Sequence, residues 1–175
     1  MNIMKKEIEP EVEALGKFLN HFNEESDRGA VLLAASIIDE WLSDILCGYL
    51  KEDEVTKELV FGFNAPLGTF SARAKMAYSL SLIEKREYEE INIIRKIRNE
   101  FGHNWQGVDF NSAKIKKECD KLGWHGPFDL PEKSFTNRNK FNFAIVALLT
   151  DLLWRKRLVK KEQIIERRWG NKNRS

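Results

Sequence analysis

Few residues in this chain combine types and spacings that could do chemistry. The run Arg98-Asn99-Glu100-Phe101-Gly102-His103 sets an arginine and a histidine five positions apart at the end of an apolar-periodic segment. Such a pair can hold a phosphodiester and move its proton without a metal, because a guanidinium grips phosphate oxygens and an imidazole titrates near neutrality. The same histidine can instead cap the last carbonyls of its helix, where the dipole favours a protonated ring. Arg73 is the second notable cation. On a helical wheel Arg98 falls about −20° from Ile91, and Arg73 about −60° from Phe70, which puts both on apolar stripes. A guanidinium does not shed its proton, so one held against a core must meet a carboxylate or several carbonyl oxygens. Asp27 is a candidate partner, about −20° from Ile38, and Asp39 lies at the edge of that stripe. Asp27, Asp39, Arg73, Arg98 and Asn99 thus form a candidate cluster with two readings. One is ion pairs that fix helix register. The other is a pocket for an anionic ligand or phosphodiester. His21 and His125 are weaker candidates, one ending an ordinary amphipathic segment and the other flanked by glycine beside Trp124.

The elements that must position these residues are read from hydrophobic period. Apolar residues recur at steps of three and four through most of the chain, and no alternating run is long enough for a sheet. The expected fold is all-α, a single-domain bundle of about six to seven helices. Ile8, Val12, Leu15, Leu19 and Phe22 mark a first helix over 7–22. A long central helix over 26–50 carries Val31, Ala34, Ile38, Trp41, Leu42, Ile45 and Tyr49, with Ser26 as its N-cap, and should be the most buried. A short helix over 54–61 precedes a Gly- and Pro-containing loop at 62–68. Thr69 caps a helix that reaches about 82, and another runs from 85 to 101, ended by Gly102, the two forming an αα-hairpin. A lysine-rich helix over 111–122, a loop over 123–131 and a final long helix over 137–158 complete the domain, taken as 1–158, with 159–175 a basic tail.

Composition narrows the function. With 42% apolar and 32% charged residues, and four prolines among 175, the chain is a folding sequence rather than a disordered one. Its apolar runs are too short to cross a bilayer, and residues 1–10 lack the apolar core of a secretory signal, so no membrane is expected and the expected location is cytoplasmic. Cys47 and Cys119 stand alone, and with three histidines they give no expectation of a disulfide, a metal site or any cofactor. The net charge of +2 is uneven: 154–175 carries +7, which leaves −5 for the rest. Basic tails of this kind contact phosphates, acidic proteins or only water. Glycine-rich phosphate loops, zinc-protease motifs and nucleophile elbows are absent. No short helix pair has the turn of a helix-turn-helix, so sequence-specific DNA reading is not expected.

Two resemblances rest on quoted residues. The run Asn64-Ala65-Pro66-Leu67-Gly68-Thr69-Phe70-Ser71-Ala72-Arg73-Ala74-Lys75-Met76-Ala77-Tyr78-Ser79-Leu80, with Arg86-Glu87-Tyr88-Glu89 and Arg98 to His103, resembles the mannitol operon repressor family over about residues 24–104. That resemblance implies a helical regulator without an obvious DNA-binding motif, acting in transcription regulation through a protein partner. The Arg98-x4-His103 spacing is also similar to the signature of HEPN-type domains. This second resemblance implies the alternative: a metal-independent endoribonuclease acting on RNA, with Arg98 and His103 catalytic, Asn99 matching the polar residue after the arginine, and two copies meeting in a homodimer.

Overall fold

Among the described residues the helical period is realised as seven α-helices: α1 (Pro10–Glu24), α2 (Asp27–Tyr49), α3 (Glu54–Phe61), α4 (Phe70–Ser79), α5 (Lys85–His103), α6 (Ala113–Cys119) and α7 (Asn137–Val159). A 3₁₀ turn at Lys160–Glu162 follows α7. The computed structural model describes residues 8–104, 106–127, 129–131 and 135–170, and among these there is no strand. Glu7 at the expected start of the first helix, Trp105, Phe128 and the tail end 171–175 lie outside the described residues.

Side chains fix where the helices start. Ser26 Oγ accepts from Gly29 N–H at 3.1 Å, Asp53 Oδ1 from Thr56 N–H at 2.9 Å, Thr69 Oγ1 from Ala72 N–H at 3.2 Å and Thr136 Oγ1 from Asn139 N–H at 3.1 Å. Each satisfies one of the amides a helix leaves unpaired at its N-terminus.

The helix ends depart from the sequence reading. α4 stops at Ser79 rather than 82, because Ser81 takes a left-handed φ of 57° and Leu82 N–H bonds back to Ala77 C=O at 2.8 Å. That closure usually carries a glycine, and here none announces it. Conversely α5 passes through Gly102 to His103, since Gly102 keeps a helical backbone, and Asn104 closes the helix with its N–H on Glu100 C=O. α6 is shorter than the expected 111–122. Ile8 and Val12, counted on the first helix's apolar stripe, are exposed, so α1 is held chiefly by buried Leu15 and Phe22.

α2 is the central element, packed against α1, α3, α4, α5, α7 and the 3₁₀ turn. Ala30, Val31, Ala34, Ile38, Leu42, Ile45 and Leu46 are fully buried along it, while Tyr49 is only half-buried. They meet Ile91, Ile94, Ile97 and Phe101 of α5 and Phe141, Ile145, Leu149 and Leu152 of α7 in one core. The small residues Ala30 and Ala34 on α2, with Ala74 and Ala77 on α4, let the backbones approach closely. At the α3–α4 corner Gly62 fits where nothing larger does: a Cβ there would stand 2.5 Å from Glu58 C=O.

Beyond α7 the chain does not leave the body at once. Ile164 N–H donates to Tyr49 C=O at 2.7 Å and Gln163 Nε2 to Leu50 C=O at 3.3 Å, so the segment after the 3₁₀ turn lies along the end of α2.

Candidate functional site

Arg73 is drawn inward and fully engaged. Its side chain, 13% exposed, donates from Nη1 to Asp39 Oδ1 at 2.9 Å, from Nε to Leu67 C=O at 2.9 Å and from Nη2 to Val60 C=O at 3.2 Å. One guanidinium thereby ties α4 to α2 and pins both sides of the 62–68 loop.

Arg98 behaves otherwise. It is exposed, and among the described residues its one hydrogen bond is from Nη1 to the side-chain oxygen of the adjacent Asn99 at 3.3 Å. The expectation that it sits inside the apolar stripe is therefore corrected. The buried residues of α5, Glu87, Glu90, Ile91, Ile93, Ile94, Ile97 and Phe101, centre about −80° from Ile91, so Arg98 stands about 60° to one side and its long stem carries the charge into water. Asp27 is no partner of Arg73 or Arg98 either. Its Oδ1 accepts from Arg138 Nη1 at 2.9 Å and its Oδ2 from Phe110 N–H at 3.2 Å. His103 is exposed at the end of α5, and its side chain makes no hydrogen bond or ion pair among the described residues, so it does not act as the cap; Asn104 does. The candidate cluster thus separates into an Asp27–Arg138 pair, an Asp39–Arg73 pair and an exposed Arg98–Asn99 pair.

Part of it still shares one cleft. Asp39 of α2, Thr69 and Ser71 at the start of α4, and Arg95, Arg98 and Asn99 of α5 line an open cleft of about 310 Å³. A larger, mainly apolar groove of about 1210 Å³ runs between α1, α2, α3 and α7, floored by Leu15, Phe18, Ile37, Trp41 and Leu153.

Several structural residues escaped the sequence reading. Arg28 at the start of α2 donates to the carbonyls of Phe101 and Asn104, closing the end of α5. Arg138 also reaches the carbonyls of Phe22 and Glu25 at 3.3 and 3.1 Å, locking the α1–α2 joint to α7. Glu87, 6% exposed, pairs with Arg155 at 3.1 Å and accepts from Glu84 N–H. Burial pushes its carboxyl above the ordinary range, against the pull of Glu84 N–H and Arg155. Glu90 accepts from His125 at 2.8 Å and Arg86 at 3.3 Å, which latches the 123–127 loop onto α5. The signal was present: on the wheel used for Arg98, Glu87 and Glu90 fall on either side of the stripe's centre, and buried carboxylates demand cations as strictly as buried arginines demand anions.

The thiols are not poised for reaction. Burial pushes Cys119 up to about 12 and raises Cys47 as well. Among the described residues no group of His, Cys, Asp and Glu could hold a metal ion, and no helix is long and apolar enough to cross a membrane.

No family model matches the chain. Two curated proteins, the mannitol operon repressors of Escherichia coli strains K12 and CFT073, are each 30% identical to it over 74 residues, 41% of this chain and 38% of theirs. The matched segment is thus well under half the length of those relatives. Among solved structures, a chain of the X-ray structure of the MtlR–HPr complex from Escherichia coli superposes with a TM-score of 0.52 at 21% identity, covering 85% of this chain and 98% of that one. Over the matched segment the chain is similar in sequence to mannitol operon repressors. Similarity in sequence thus covers less than half of the chain, and similarity of fold covers most of it.

Proposed function

We propose that this chain is a regulator of the mannitol operon repressor type, acting by docking a protein partner rather than by reading DNA bases. The observation that carries the reading is the fold shared, over 85% of the chain, with a structure solved as the complex of MtlR with HPr. Physical support comes from the α3–α4 corner. Phe63 is 99% exposed at the tip of a loop that Arg73 holds by Leu67 and Val60, with Val55 and Phe61 exposed on α3. An aromatic ring projected from a fixed loop loses little freedom on burial and makes a strong anchor for a protein surface. The described connections between helices also lack the short glycine turn followed by an exposed reading helix that base recognition needs.

Titration with purified Escherichia coli HPr tests this. Saturable binding is expected, and Phe63→Ala weakens it by about 30-fold, the loss typical of a buried aromatic anchor. Absence of binding removes an HPr-like partner from the reading, and a DNA complex that is sequence-specific at physiological salt contradicts it.

A second reading, the metal-independent ribonuclease, is favoured by one observation: Arg98 and His103 are both exposed and neither is paired with a carboxylate among the described residues. Its test is RNA cleavage in EDTA, abolished by Arg98→Ala and by His103→Ala. A wild-type protein that leaves RNA intact eliminates it.

A further inference from the structure

Arg95 and Arg98 are held in place without being neutralised. Arg95 Nη1 donates to Asn92 Oδ1 at 2.7 Å, and Asn92 is itself oriented by its Nδ2 donating to Tyr88 C=O at 2.9 Å. The Arg95 guanidinium also lies over the Phe70 ring, 5.9 Å from its centroid. Arg98 is held by the amide oxygen of Asn99. Neither arginine has a carboxylate partner among the described residues, although ion pairs are plentiful elsewhere on the molecule. Among the described residues the carboxylate lining their cleft is Asp39, which is already paired with Arg73.

Two unneutralised arginines three positions apart on a helix repel each other, and their Cβ atoms stand about 5–6 Å apart, close enough for both forks to reach one anion. The hydrogen bonds of both guanidiniums go to neutral amide oxygens, which leaves both charges available to an anion. Thr69 and Ser71 line the same cleft. The Thr69 oxygen accepts from Ala72 N–H and keeps its own proton to give, and the Ser71 hydroxyl makes no hydrogen bond among the described residues.

The geometry points to a phosphoryl-binding site in this cleft, in which the Arg95 and Arg98 guanidiniums and the Thr69 and Ser71 hydroxyls take a dianionic phosphate, free or as a monoester. Four donor groups lining one cleft suit the three terminal oxygens of a phosphoryl group and exceed what the two oxygens of a carboxylate can use. A volume of about 310 Å³ is enough for a phosphate and a short attached group. The site shares Arg98 with the ribonuclease reading but requires neither RNA cleavage nor a protein partner, so its failure and theirs are distinguishable.

The test is calorimetric and NMR titration of the full chain, at matched ionic strength, with inorganic phosphate, glycerol phosphate and acetate. Phosphate or glycerol phosphate binds saturably and moves the Ser71 amide and the Arg95 and Arg98 Nε signals, while acetate does neither. Tighter binding of glycerol phosphate identifies a carried phosphoryl group, and binding of inorganic phosphate alone identifies the free ion; each supports the site. Arg95→Gln and Arg98→Gln each weaken binding at least about tenfold, the factor carried by a charge-assisted hydrogen bond, and Ser71→Ala weakens it less. Thermal melts check that the variants fold, and the wild-type shifts together with Ser71→Ala decide the matter if an arginine variant does not. No saturation through the millimolar range, equal binding of acetate, or glutamine variants that bind as the wild type does would each overturn the assignment.

Discussion

Replacing Arg73 by alanine removes three hydrogen bonds at once and leaves Asp39 without its cation. Breaking a buried ion pair from one side costs about 3–5 kcal/mol. Arg73 is 13% exposed and Asp39 28%, so water can reach part of the orphaned carboxylate and the lower end, about 3 kcal/mol, applies. For a domain of this size that corresponds to a fall in Tm of roughly 6–12 °C. Arg98→Ala is the matched control, expected to fall within about 0.5 kcal/mol of the wild type because Arg98 is exposed and bonds to an exposed neighbour. Urea and thermal melts of both variants, with a double-mutant cycle against Asp39→Asn, measure the difference, and a coupling of about 1 kcal/mol or more is expected between residues 73 and 39. A loss under about 1 kcal/mol for Arg73→Ala, or equal losses for the two arginines, would refute the distinction between an inward clasp and an outward cation.

Glu87 makes stability depend on pH in a definite direction. Burial lets the folded protein keep its proton above the ordinary value of 4.5, so the stability this group contributes is full below that value and is lost as pH rises through the folded one. The stability of wild type relative to Glu87→Gln should therefore decline as pH rises above about 4.5 in chemical denaturation, and a flat or rising difference would count against the burial argument. Thiol labelling of the native protein should modify Cys47, half-buried beside the large groove, well before Cys119, which is fully buried with its thiol pushed up to about 12. Prompt reaction of Cys119 without unfolding would mean that α6 opens readily.

What could be read from the sequence was what depends on local period and chemistry. The α2 stripe, the Thr69 cap, the 62–68 loop and the need of Arg73 for a carboxylate all follow from residue type and the regular turn of a helix. Even Asp39 stands among the partners that such a reading allows. What could not be read was which segments meet. Asp27 pairs with a residue 111 positions away, Arg138, and Arg28 closes α5 through Asn104, 76 positions downstream. No pattern within one helix encodes such choices. Arg98 was misplaced for a different reason: the stripe was drawn through Tyr88, which is only half-buried at about +60°, and without Ile93, which is buried near −160°, so its centre was set too close to Arg98. The end of α4 was missed because Ser81 adopts a conformation its residue type does not advertise.

The bonds from Ile164 to Tyr49 and from Gln163 to Leu50 move the natural edge of the domain. Trimming after Val159 would strip the partners from two carbonyls at the α2 terminus, whereas trimming after Ile164 would preserve them and discard the exposed Ile165 and Trp169. The folded body therefore extends a few residues past the last helix, and from Ile165 onward only a long, exposed ion pair of Glu166 with Lys51 at 4.0 Å stands in the way of exchanging, tagging or shortening the described chain.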